Sequence, residues 1–204
     1  MKMKTKVSDI LKSDDTTKEK LDYLWGYYRV HVIVALIGLV FGIFLLVDWI
    51  NRPVTYFHLT VLAPQVDFDE EEILSEEMQN LLNPQGQNEA VYASFTPHGE
   101  MAERFVAQLS AGEYDVILMD EGAFNEYASF GTMEEFRVVE IDEDEHYQPD
   151  EYNNPMAINS SALPVLDDYV TTEDMYLMIP QNSNRKEITI EFFASQGYNL
   201  VFVD

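Results

Sequence analysis

Between Val32 and Val47 every residue is apolar or glycine, and extending the run through Val30, His31, Asp48, Trp49 and Ile50 gives 21 consecutive residues, 30–50. At about 1.5 Å per residue a helix of that length reaches roughly 31 Å, the hydrocarbon thickness of a bilayer. Trp25, Tyr27 and Tyr28 precede the run and Trp49 closes it, which puts amphipathic rings where two membrane interfaces would lie. A cleaved signal peptide calls for a shorter apolar run, about 7–15 residues, and a small-residue cleavage site. The following segment, DWINRPVT from Asp48 to Thr55, has no A-x-A pattern. The expectation is an uncleaved, single-pass signal-anchor helix whose first partner is the lipid bilayer.

Charge orients that helix. Lys12, Lys18, Lys20 and Arg29 lie before it, and only Arg52 lies close behind. By the positive-inside rule, residues 1–29 are expected to be cytoplasmic and residues 53–204 to form an extracytoplasmic domain at the cell membrane. Up to Arg52 the chain carries eight Lys/Arg against six Asp/Glu, a balance of +2; beyond it, four against 31 leave −27. Such an acidic domain gains nothing from counterion release on a phosphate backbone, so nucleic acid is excluded as a partner. Aromatic residues make up 13% of the chain, which argues for a folded domain rather than a disordered acidic tail. Cysteine is absent, so disulfides, thiolate metal sites and lipidated cysteines are all excluded. An exported chain without disulfides favours a bacterial envelope.

Gly38 and Gly42 form a G-x-x-x-G inside the span, with Ala35 nearby. This spacing lets two helix backbones approach closely and makes a homodimer or a membrane-protein partner an expectation, although glycine is also simply common in membrane helices. Ahead of the span, Ser13 to Thr17 has the composition of a cap for a short amphipathic helix leading into the membrane.

After Pro53 strand-like and helix-like stretches alternate. Thr55–Ala63, Ala90–Phe95 and Tyr114–Asp120 are rich in β-branched, aromatic and apolar residues and read as strands. Between them, Glu70–Leu82 sets Ile73, Leu74, Met78, Leu81 and Leu82 on one helical stripe, and Glu100–Gly112 does the same with Met101, Phe105, Val106 and Leu109. A short helix over Gly122–Ser129 leads to a strand over Phe136–Asp142. Residues 143–155 read as a polar loop, Met175–Pro180 as a strand, Ile188–Gly197 as a helix and Asn199–Asp204 as a closing strand. This β-α-β-α-β order predicts an α/β fold: one three-layer domain over a largely parallel sheet, preceded by the single transmembrane helix.

The stretch from Phe95 to Phe136 resembles the first lobe of bacterial extracellular solute-binding proteins of the periplasmic type II class. The resemblance rests on the Ala111-Gly112 turn, the Asp115-Val116 strand start and the short helix from Ala128 to Gly131; Asp174 to Ser195 is similar to the family's return segment. It implies one lobe of a two-lobed binding protein. The second lobe would be deleted or reduced to residues 143–164, and the usual cysteine-lipid anchor replaced by a transmembrane helix. A single lobe lacks the opposed walls between which a cleft buries its ligand.

Ligands of open α/β sheets gather beyond the carboxyl ends of strands. That places Thr96, Pro97, His98 and Gly99, then Asp120, Glu121 and Gly122, and further on Asn159, Ser160 and Ser161 at candidate positions. Asp120 and Glu121 suit a cation or polyamine, whereas the helix start near His98 and Gly99 suits an anion. The plainer reading of Asp120-Glu121-Gly122 is a helix-start acid held by the dipole. The acidic runs Asp67–Glu72 and Asp142–Glu151 lack the D-x-[DN]-x-[DN]-G loop of a calcium site and read as solvated. His31, His58, His98 and His146 show no H-E-x-x-H pairing, and no G-x-S-x-G, Walker or G-x-G-x-x-G string occurs. Asn159-Ser160-Ser161 matches a glycosylation acceptor only formally. No metal, cofactor or catalytic residue is therefore assigned.

Three functions remain open. The first is a non-catalytic, membrane-tethered binding or interaction module that takes a small solute or docks a membrane partner. The second is an envelope structural or assembly protein using the domain as a protein–protein platform and Gly38 and Gly42 as its seam. The third, an exported enzyme, has only surplus carboxylates to carry it.

Overall fold

A computed structural model describes residues 16–99 and 102–203. The chain divides into two compact units, Met1–Arg52 and Pro53–Asp204.

The first unit is built on one helix, α1 (Thr17–Ile50), of 34 residues. Thr16 starts it with a capping box: the Glu19 N–H points to the Thr16 hydroxyl while the Glu19 carboxylate takes the Thr16 N–H at 3.0 Å. The expected cap is thus Thr16, and Ser13 to Asp15 lie outside the described residues, as does the cytoplasmic segment up to Asp15. No separate amphipathic helix precedes the span among the described residues; the same helix runs through both. Leu24–Ile50, 27 residues whose most apolar 18-residue stretch has a mean hydropathy of 3.0, is long and apolar enough to cross a membrane, and none of that stretch is buried. Gly38 and Gly42 both lie in α1, and a β-carbon built on either would meet nothing within 4 Å.

The second unit is α/β. β1 (Val54–Ala63), α2 (Phe68–Leu82), β2 (Glu89–Pro97), α3 (Ala102–Ser110) and β3 (Val116–Met119) follow in order. Then come α4 (Glu121–Ser129), β4 (Phe136–Val138), β5 (His146–Tyr147), β6 (Ala157–Asn159) and α5 (Pro164–Asp167). β7 (Tyr176–Met178), α6 (Lys186–Ala194) and β8 (Leu200–Phe202) complete the unit.

Six strands form one sheet in the order β2-β1-β3-β7-β6-β5, and β4 pairs with β8 in a two-stranded ribbon. The expected largely parallel sheet is corrected to a mixed one. β1 runs parallel to β2 and β3, but the β3–β7, β7–β6 and β6–β5 pairs are antiparallel. Parallel neighbours need a crossover of a dozen or more residues, usually a helix lying across the sheet. The helices α2 and α3 supply such crossovers, whereas the strands beyond β3 enter through loops and return. Phe136–Val138 does not continue the parallel series either; it pairs antiparallel with β8. Residues 143–155, expected as a loop, contain β5, and residues 143–164 are no remnant of a second lobe, since β5 and β6 form the edge of the main sheet.

Side chains alternate between two cores, as the period of a strand requires. Val116 and Leu118 of β3 join Leu74 and Met78 of α2 and Phe192 of α6 in one cluster. Ile117 and Met119 face the other way, with Phe105 of α3 and Phe124 of α4. Every residue of β3 is buried, in keeping with its continuous apolar run. Two expected core positions are corrected: Ile73 is 57% and Val106 46% exposed, because each short helix buries only the narrow stripe nearest the sheet. Met101 lies outside the described residues. Gly112 ends the turn after α3 with φ +70°, and a β-carbon there would stand 2.7 Å from the Asn182 carbonyl oxygen. Only glycine meets both conditions.

Candidate functional site

The strand order β2-β1-β3 makes the carboxyl ends of these strands a topological switch point, since the crossover to β2 leaves on one side of β1 and β3 arrives on the other. A depression of about 460 Å³ lies there, lined by Leu62, His98, Gly99, Asp120, Glu126 and Tyr127, with Gly122 and Ala123 completing it. Leu62 comes from the end of β1, His98 and Gly99 from the turn after β2, and the rest from α4 and its N-cap, Asp120. Gly99 holds φ +104°, a conformation that glycine adopts without cost.

Asp120 serves the fold and the depression at once. As N-cap of α4 its side chain accepts the Ala123 N–H at 2.9 Å, satisfying one of the free donors of the first turn. Its other oxygen lies 3.6 Å from His98 Nε2, an ion pair whenever the imidazole is protonated. Burial, with the Glu126 carboxylate beside it, pushes the Tyr127 hydroxyl above its ordinary pKa. The surface therefore carries the carboxylates of Asp120 and Glu126 as acceptors beside the His98 ring and the Tyr127 hydroxyl.

Of the residues singled out by sequence, the structure brings His98, Gly99 and Asp120 together. Thr96 is 8% exposed within β2 and does not line the depression. Glu121 is separated from Asp120: it lines a different cavity, with Phe124, Tyr147, Tyr152 and Tyr176. A joint cation grip by Asp120 and Glu121 is thus not what the geometry offers. The reason is helical: residues 121, 124 and 125 share one face of α4, and 122, 123, 126 and 127 turn toward the other. Asn159 ends β6 and caps the turn after it by accepting the Ser161 N–H at 2.9 Å. The Ser160 hydroxyl donates to the Thr172 carbonyl at 2.5 Å and accepts the Met175 N–H at 2.9 Å. These bonds commit the Asn159–Ser161 segment to local structure.

At the opposite end of the sheet the structure reveals a cluster that sequence reasoning did not find. Asp115, wholly buried, accepts the His58 N–H at 2.8 Å, the Ser183 hydroxyl at 2.6 Å and Arg185 Nε at 2.9 Å. Burial raises the Asp115 carboxyl above its usual range, opposed by the bonds from Ser183 and Arg185. Arg185 also donates to the Glu113 carbonyl at 2.7 Å. Beside this clamp, His58 Nε2 lies 2.9 Å from Ser94 Oγ. Burial, reinforced by the Arg185 charge, pushes His58 down to about 4. The Ser94–His58 pair does not make a hydrolytic triad, because Asp115 bonds the backbone of His58 rather than its ring. The 70-residue separation of Asp115 from Arg185 left no local signal to read.

Among the described residues, no group of three or more His, Asp or Glu side chains is arranged to hold a metal ion. Compared with known protein families, curated proteins and solved structures, this chain matches none.

Proposed function

We propose that this chain is a non-catalytic, membrane-tethered module that presents an acidic α/β domain on the extracytoplasmic face of the cell membrane for binding. One observation carries the reading: Leu24–Ile50 is a 27-residue apolar helix whose most apolar stretch has no protein packed over it. Lipid is the solvent that suits such a surface. The Lys/Arg excess before the helix supports an outward-facing Pro53–Asp204 unit. The depression at His98 and Asp120 supports the binding half of the reading, since it lies where open α/β sheets receive ligands. Its likeness to one lobe of a solute-binding protein belongs to the same proposal and rests on sequence resemblance alone.

A second reading, a protein–protein platform, draws on a different surface. Val106, Leu109, Tyr127 and Phe130 line a groove of about 490 Å³, and Phe130 is 59% exposed. A partner's apolar side chain would be the natural occupant of such a patch.

Fractionation and protease access test the tether. The full chain is expected in the membrane fraction after high-salt washing, released only by detergent, with its acidic unit cut by protease added to intact cells. Recovery in the soluble fraction, or protection of the unit until cells are lysed, overturns the reading. Thermal unfolding of the detergent-solubilised chain against amino acids, sugars and peptides tests binding at the depression. A ligand at 100 times its Kd stabilises by about 2.7 kcal/mol, and the shift should vanish in Asp120→Ala.

A further inference from the structure

The cavity on the other side of α4 has a composition that the depression lacks. It measures about 370 Å³, within the size range of small-molecule sites. Four of its lining residues are aromatic. The Phe124 and Tyr176 rings stack with centroids 4.8 Å apart, and Tyr147 meets Tyr176 edge-on at 4.2 Å. Tyr152 lines the same space and its hydroxyl donates to the Ala128 carbonyl at 3.0 Å. Three different elements thus hold the rings before any ligand arrives: Phe124 is 4% exposed in the core under α4, Tyr147 sits in β5 and Tyr176 in β7.

Glu121, Asp150 and Glu151 also line it, beside the uncharged Asn125, Ser129, Gln148 and Pro149, and no Lys, Arg or His contributes. Among the described residues none of these three carboxylates pairs with a basic side chain. Aromatic ring faces carry negative potential of their own, so walls and carboxylates act in the same direction. Burial first, and then the Tyr147 hydroxyl and the Glu121 charge, raise the Tyr176 hydroxyl above its ordinary pKa.

We propose that this cavity binds an organic cation through an alkylammonium head group, the aromatic faces taking the charged carbons and the carboxylates balancing the charge. The choice against a metal ion follows from the geometry: hard cations need clustered oxygen ligands, and among the described residues no three His, Asp or Glu side chains are grouped to hold one. A quaternary ammonium group is large, weakly hydrated and well matched to ring faces within about 6 Å, and a primary one, more strongly hydrated, brings N–H donors for the carboxylates. An anion meets repulsion from the three carboxylates. The inference shares with the proposed function only the idea that the domain binds; its site is separate from His98 and Asp120.

The test is calorimetric titration of the full chain in detergent micelles, at low salt, with choline, spermidine and Nα-acetyl-lysine amide. The neutral isostere 3,3-dimethylbutan-1-ol and calcium chloride serve as comparisons. Saturable binding of at least one ammonium compound, without binding of the alcohol, is expected. Tighter binding of the free amines points to a soluble solute, and tighter binding of the lysine amide to a side chain of a partner. Tyr147→Ala should weaken binding at least tenfold, and so should the double variant Glu121→Gln/Glu151→Gln. Both substituted carboxylates are exposed, so that variant keeps the fold. Absence of binding by all three ammonium compounds overturns the proposal, as does equal binding of the alcohol, preferential binding of calcium, or unchanged affinity in the carboxylate double variant. Any of these results leaves the membrane-tether reading untouched, because that reading is decided by fractionation.

Discussion

Acidification from pH 7 to pH 5 should cost this protein stability through a single histidine. The His58 ring has a pKa pushed down to about 4 from an ordinary 6.5, chiefly by burial and then by the Arg185 charge. The unfolded chain keeps the ordinary value, so between the two pKa values it binds a proton that the folded chain refuses. The stabilisation is therefore fully present above about pH 6.5 and is lost as pH falls toward 4. Each pH unit in that window is worth about 1.4 kcal/mol, which gives about 2 kcal/mol between pH 7 and pH 5. These are upper values, because the ring keeps some exposure and water screens its charge. The 31 carboxylates beyond Arg52 also titrate, so His58→Gln is the necessary comparison: it removes the imidazole and leaves that background in place. Trp25 and Trp49 are the only tryptophans and both belong to α1, which makes fluorescence blind to the α/β unit; scanning calorimetry is the suitable assay. The gap between His58→Gln and the unmodified protein should move by roughly 4–8 °C in favour of the variant from pH 7 to pH 5. Parallel pH profiles for the two proteins would refute the argument, since His58 would then titrate as in water.

Two further substitutions probe the scaffold. Arg185→Ala strands the buried Asp115 carboxylate without its cationic partner and should cost about 3 kcal/mol, read as a lowered midpoint in the same calorimetry at pH 7. Gly112→Ala forces a side chain onto a residue at φ +70° and against the Asn182 carbonyl. A loss of about 1–3 kcal/mol is expected, whereas Gly197→Ala, with open space at its β-carbon position but φ +89°, should show only the smaller conformational part.

Much of the local structure was legible because it rests on neighbours in sequence. The run 30–50, the stripe of Leu74, Met78 and Leu82, and the all-apolar Val116–Met119 each announce their element by length or period. The helix start at Asp120 was legible as well, since an N-cap acid acts within three residues. The extent of the stripes was not: Ile73 and Val106 have the right spacing but miss the contact. Nor were β5 and β6, whose two and three residues are too few for alternation to register.

The candidate sites divide along the same line. His98 and Asp120 could be named from sequence because each follows a recognisable strand, and the switch point of an α/β sheet then places both at one edge. The aromatic cavity could not, because Phe124, Tyr147 and Tyr176 come from α4, β5 and β7, and nothing local says that these meet. The Asp115 clamp fails for the same reason, its partners lying some 70 residues away.

By itself, then, the sequence determined the apolar span, the acidity of the chain beyond Arg52 and the α/β alternation, all of which depend on composition and short-range periodicity. Tertiary structure alone decided that half of the sheet runs antiparallel, that residues 143–164 extend this sheet, and that Asp120 and Glu121 look into different cavities. Strand partners and cavity walls are selected by burial among distant segments once the long loops have closed, and that competition leaves no signature within any single stretch of chain.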